Sequence, residues 1–72
     1  MTDILIFKTN INTEDEFSKI RNNISKFYNI KECTVDLEDR DKVLRIIGDN
    51  LNQYDIASHV NDFGFVCDEL QD

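Results

Sequence analysis

No proline interrupts the chain, no Lys or Arg follows Arg45, neither cysteine belongs to a Cys-x-x-Cys, and glycine occurs only twice in 72 residues. Absence of proline, together with 40% hydrophobic residues, excludes a disordered segment and leaves a folded chain. No apolar run approaches the roughly 20 residues that span a bilayer. The N-terminus lacks both the basic flank and the long apolar segment of a secretory leader, so the sequence predicts a cytoplasmic protein with no membrane partner. Cys33 and Cys67 stand far apart and form neither a disulfide framework nor a metal motif, which predicts reduced thiols.

The missing bases are a local deficit. Residues 1–45 hold nine acids against eight bases, whereas residues 46–72 hold six acids (Asp49, Asp55, Asp62, Asp68, Glu69, Asp72) and no Lys or Arg. A net charge of −7 and a pI near 4.4 exclude unassisted nucleic-acid binding, because affinity for phosphate comes mainly from Lys and Arg. An acidic third either steers a basic partner or is a solvated face that keeps a small protein soluble. The length allows one core and one domain, 1–72.

What is present is a change of period. Ile4 to Phe7 is a continuous apolar run of strand type, and Phe17, Ile20, Ile24 and Phe27 then recur at helical spacing. Thr13 and Glu16 have the spacing of a capping box, so a helix is predicted from about Glu14 to Tyr28. Three acids stand in its first turn and bases follow, in the order that suits the helix macrodipole. Cys33, Val35 and Leu37 alternate with Thr34, Asp36 and Glu38 as in a half-buried strand. Asp39-Arg40-Asp41 reads as a turn, and Lys42 to Ile47 as the returning strand, ending at Gly48-Asp49-Asn50. A second helix is predicted from about Asn52 to Phe63, with Ile56, Ala57, Val60 and Phe63 on one stripe, capped by Asn50 or Asn52 and ended by a left-handed Gly64. Phe65-Val66-Cys67 would be the last strand.

The order β-α-β-β-α-β predicts an α+β fold: a ferredoxin-like two-layer sandwich with a four-stranded antiparallel sheet and both helices on one face. Right-handed crossovers place strands one and three centrally and the cysteine-bearing strands two and four at opposite edges.

In this arrangement the chain resembles the heavy-metal-associated domain family. The resemblance rests on Val35-Asp36-Leu37-Glu38 ahead of the hairpin turn, and on Asp55-Ile56-Ala57 through Val60 to Phe63-Gly64-Phe65-Val66-Cys67. It implies a Met-x-Cys-x-x-Cys loop between strand one and helix one that holds a soft ion such as Cu(I) or Zn(II). Ile11 stands at the Met position, Thr13 at the first Cys and Glu16 at the second. A soft cation selects thiolate over hydroxyl or carboxylate, so the resemblance implies a degenerate member with no metal held at this loop and no cofactor.

Other sites are weakly drawn. Thr13 and Glu16 as an oxygen-donor site would have only Glu14 and Asp15 beside them, and hard cations want six or more oxygens. The acids around the hairpin turn lack the glycine and closing Glu of a calcium loop. His59 lies at the margin of the second helix's apolar stripe and reads as a packed, satisfied histidine. Cys33 and Cys67 fall on the inward parity of their strands. No nucleophile, base and orienting group can be assembled, so no enzyme is predicted. Strands one and three are apolar on both parities, and Leu5, Phe7, Val43 and Ile47 are expected to form an apolar patch on the open sheet face, where a protein partner or a second copy would dock. The sequence thus predicts a small acidic interaction module. Its rivals are a metal carrier using other ligands, such as Cys33, His59 or Cys67, and a dimeric small-molecule regulatory domain, which the scarcity of glycine in the loops disfavours.

Overall fold

Helix α1, Glu14–Phe27, starts where it does because Thr13 remains extended (φ −130°, ψ 157°) and its side-chain hydroxyl accepts the Glu16 amide. In this computed structural model, which describes residues 1–70, the chain runs β1 (Thr2–Thr9), α1, β2 (Asn29–Val35), β3 (Leu44–Asp49), α2 (Gln53–Asp62) and β4 (Cys67–Glu69). Asp72, last of the acids in the base-free stretch, lies outside the described residues. The expected βαββαβ sandwich is the observed one, with strand order β2-β3-β1-β4 and every pairing antiparallel.

Boundaries differ from the sequence expectation in β2, which runs from Asn29 to Val35 and leaves Leu37 outside, at both ends of β3 and at the start of β4. Lys42 is not on the returning strand: it takes φ +45°, donates its amide to the Asp39 carbonyl and its ammonium to the Leu37 carbonyl, and so closes a longer turn that delays β3 until Leu44. Gly48 lies within β3 rather than after it, and Asn50 (φ +55°) makes the reversal. β4 begins at Cys67, not Phe65, because the two preceding amides are engaged elsewhere. Phe65 donates to the Val60 carbonyl and Gly64 to the Asn61 carbonyl, which with Gly64 at φ +94° closes α2 in a Schellman motif, and Val66 donates to Asn10 Oδ1 at 2.8 Å.

The core lies between the sheet and the helices. Phe7 on β1 and Leu44 and Ile46 on β3 meet Phe17, Ile20 and Ile24 from α1 and Ile56 and Val60 from α2, all at most 6% exposed. At the β2 edge the register shifts between Ile30 and Glu32, so Lys31 is an extra residue whose ammonium reaches Asp49 at 3.4 Å and the Thr2 hydroxyl at 3.5 Å. Gly48 sits against this bulge. A Cβ there would run into the Asn29 carbonyl oxygen and come within 3.2 Å of Ile30 Cα, so the close approach of two backbones requires glycine.

Candidate functional site

The β1–α1 loop, Asn10 to Thr13, is held from every side. Thr9, 5% exposed, donates its hydroxyl to the Lys42 carbonyl at 2.6 Å and accepts the Ile11 amide at 3.3 Å, while its own amide donates to the Asp41 carbonyl. Asn10 takes the Val66 amide. Ile11 is fully buried in the core. Thr13 accepts the Glu16 amide at 3.1 Å, and Glu16 Oε1 accepts the amides of Asn12 at 2.9 Å and Thr13 at 3.2 Å, so the capping box predicted from the sequence is complete. At the three positions aligned with the metal loop, then, one residue fills the core and the other two close a helix.

The remaining candidate ligands are dispersed. Asp36 Oδ1 accepts the Glu38 and Asp39 amides, Asp39 accepts the Asp41 amide, and Asp41 pairs with Lys8 at 3.7 Å, so the hairpin acids serve their own turn. Cys67 is 4% exposed and Cys33 half-buried against the core; both are free. With β3 and β1 between their strands, spacings of about 4.8 Å per strand put them far beyond the roughly 7 Å limit for a disulfide. Burial pushes the Cys67 thiol up to about 12, with the Asp68 carboxylate adding to it, and Cys33 up to about 11, where burial outweighs the nearby Arg21 guanidinium. Neither is a poised thiolate. Among the described residues no three His, Cys, Asp or Glu side chains gather as a metal site.

His59 clasps the helices together. Its Nε2 and Asn23 Oδ1 of α1 are hydrogen-bonded, and the ring packs against Phe27, Tyr28 and Phe63 at centroid distances of 5.1, 5.7 and 6.3 Å. It is a packed, partnered histidine. The Tyr28 phenol is raised by partial burial and then by the Asp55 carboxylate.

The apolar patch on the open sheet face has a different membership from the one expected. Phe7 is 1% exposed in the core and Leu5 packs against that core, so neither belongs to the open face. The antiparallel register pairs Leu5 with Ile46 and Phe7 with Leu44 on the helix side, and Ile4 with Ile47 and Ile6 with Arg45 on the other. Ile47 is half-buried on the open face, and Val43, also half-buried, lies just before β3. Ile4, 57% exposed, and Ile6 were missed. A signal for them was in the sequence: Lys8 shares parity with Ile4 and Ile6, and Arg45 shares parity with Val43 and Ile47. Charged residues mark the wet side of a strand.

Solved structures of copper-handling domains share this ferredoxin-like sandwich fold. Two structures of the yeast copper transporter domain, studied in apo and Cu(I)-loaded states, match at 18% identity over 96% of both chains with TM-scores of 0.79 and 0.81. The Cu(I)-loaded first domain of the human copper chaperone for SOD1 matches at 12% identity, over 96% of this chain and 93% of that one, with a TM-score of 0.76. No protein-family model matches the chain. No curated protein matches it either. Identities this low carry the fold and nothing finer.

Proposed function

We propose that this chain is a non-catalytic interaction module, a single domain that keeps the heavy-metal-associated fold and has exchanged the soft-metal loop for a helix cap, and that it works in the cytoplasm on a protein partner or a second copy. The observation that carries this reading is the use of Thr13 and Glu16: the hydroxyl and one carboxylate oxygen at the two thiol positions are both committed to backbone amides. The oxygens that remain are hard donors, and a soft cation takes thiolate in preference to them. The solved structures that share the fold are a copper transporter domain and the first domain of a copper chaperone. No helix among the described residues is long and apolar enough to cross a membrane.

The test is competition against a chelating dye for Cu(I) and Zn(II). The dye should keep both metals. Stoichiometric submicromolar uptake that survives Cys33→Ser and Cys67→Ser would overturn the reading in favour of a carrier with other ligands, and uptake lost in those variants would place it on the strand thiols.

A further inference from the structure

The strand register gathers the outward side chains of the sheet on the face that the helices leave open. Ile4 stands beside Ile47 and Ile6 beside Arg45 across the β1–β3 ladder. The Leu70 amide donates to the Ile6 carbonyl at 2.9 Å, which places half-buried Leu70 beside Ile6 and, by parity with Asp68, on this same face. Ile47, Ile4, Ile6 and Leu70 thus form an apolar row that crosses the centre of the sheet. The outward charges on the strands balance: Lys8, Lys31 and Arg45 stand against Glu32, Asp49 and Asp68, in a chain whose net charge is −7. Lys31 is held by Asp49 and Lys8 by Asp41, whereas Arg45 and Glu32, both exposed, belong to neither of these ion pairs.

We propose that this face packs on the same face of a second copy, the two sheets antiparallel about a two-fold axis that lies between them and crosses the strands at the level of Leu5. Such an axis exchanges Ile4 with Ile6, so the apolar row meets itself. It also exchanges Ile47 with Arg45. The Arg45 guanidinium of one copy therefore lies over Ile47 of the other, beside Glu32, which is the register partner of Ile47 on β2. Packed sheets stand about 10 Å apart, a gap that an arginine and a glutamate reaching from opposite walls can close. The unpaired cation of each copy meets the unpaired anion of the other, twice, and this self-complementarity singles out a second copy as the occupant. Strands of these lengths present roughly 400 Å², short of the 800 Å² or so that each side of a standard interface buries, so the pair is weak and forms at high concentration. The proposal rests on the reading of the chain as an interaction module and names that module's partner.

The experiment is sedimentation of the full chain from micromolar to millimolar concentration, with chelator and reductant present so that neither a metal nor a disulfide joins the copies. A monomer–dimer equilibrium is expected. Arg45→Glu and Glu32→Arg, both at exposed positions, should each weaken it by about five-fold or more, since the symmetry counts each contact twice. Glu32→Arg should do so although it lessens the overall negative charge. An equimolar mixture of the two variants should regain the parent's association, because in the mixed pair both contacts again join opposite charges. Only a contact between copies can give that recovery. Asp62→Asn, at the far end of α2, should associate like the parent. A monomer at every concentration, single variants that associate like the parent, or a mixture no stronger than its components would each overturn the proposal. The first of these would leave the interaction-module reading standing, with a partner of another sequence, whereas metal uptake in the dye competition would remove that reading without altering the sedimentation.

Discussion

Thr13 and Glu16 hold each other's backbones: the Thr13 hydroxyl takes the Glu16 amide at 3.1 Å and the Glu16 carboxylate takes the Thr13 amide at 3.2 Å. A reciprocal pair of this kind satisfies donors that the first turn of a helix leaves orphaned. In a domain that buries a small core, one such cap is a sizeable share of the stability.

Thr13→Ala should therefore cost about 1 kcal/mol, which in a domain of this size lowers the thermal midpoint by roughly 4–8 °C. Calorimetry on the two proteins checks this. An unchanged midpoint would mean that the box, though formed, contributes nothing net.

The two glycines should fail for different reasons. Gly48→Ala drives a methyl into the Asn29 carbonyl and the adjacent backbone, so β2 must move; a loss of about 1–3 kcal/mol is expected, with hydrogen exchange quickening along β2. Gly64→Ala meets open space but must hold φ near +94°, and about 1–2 kcal/mol of backbone strain is expected, with β2 exchange unchanged. Exchange measured amide by amide separates the two.

Alkali should unfold the domain through its buried thiols. An unfolded cysteine ionises near its ordinary value of 9.0, whereas Cys33 waits until about 11 and Cys67 until about 12. Between those limits the native state holds more protons than the unfolded one, so stability falls as pH rises. The contribution is fully present below 9 and is lost progressively toward the folded values. Urea midpoints compared at about pH 8 and about pH 10 should drop in the parent and drop less in Cys67→Ala.

On the sheet, Ile4→Ser and Phe7→Ser should separate surface from core. Phe7→Ser removes a fully packed ring, costs about 3–5 kcal/mol and should leave the domain largely unfolded. Ile4→Ser should leave the fold intact and, where the open face is an interface, weaken self-association in a sedimentation series. Association equal to the parent's would retire that face as a docking surface.

The architecture was legible because period, caps and punctuation agreed. The Thr13–Glu16 spacing, the Phe17-Ile20-Ile24 stripe and Gly64 each named a boundary that the structure places within a residue or so. The errors arose where long-range bonds override local pattern. Phe65 looks like a strand residue, but its amide closes the Schellman motif that Gly64 sets up, and the amide of Val66 is taken by Asn10, a partner distant in the chain that no local rule names. The open-face patch was misassigned because Ile4 to Phe7 is apolar on both parities, so the run itself cannot say which side is wet. The parity of Lys8 could have decided it.

The bulge at Lys31 bears on how this chain behaves in a crowd. β2 is the longer of the sheet's two borders, seven residues rich in β-branched side chains, and an uninterrupted border of that length invites a neighbouring polypeptide to add a strand and start a fibre. The extra residue breaks the even spacing of its outward amides and sets a charge in the middle of it, while the opposite border, β4, is only three residues long. A growing stack would find no flat template on either side. The offset at Lys31, with the glycine packed behind it, is the kind of irregularity that discourages strand addition along an exposed sheet edge.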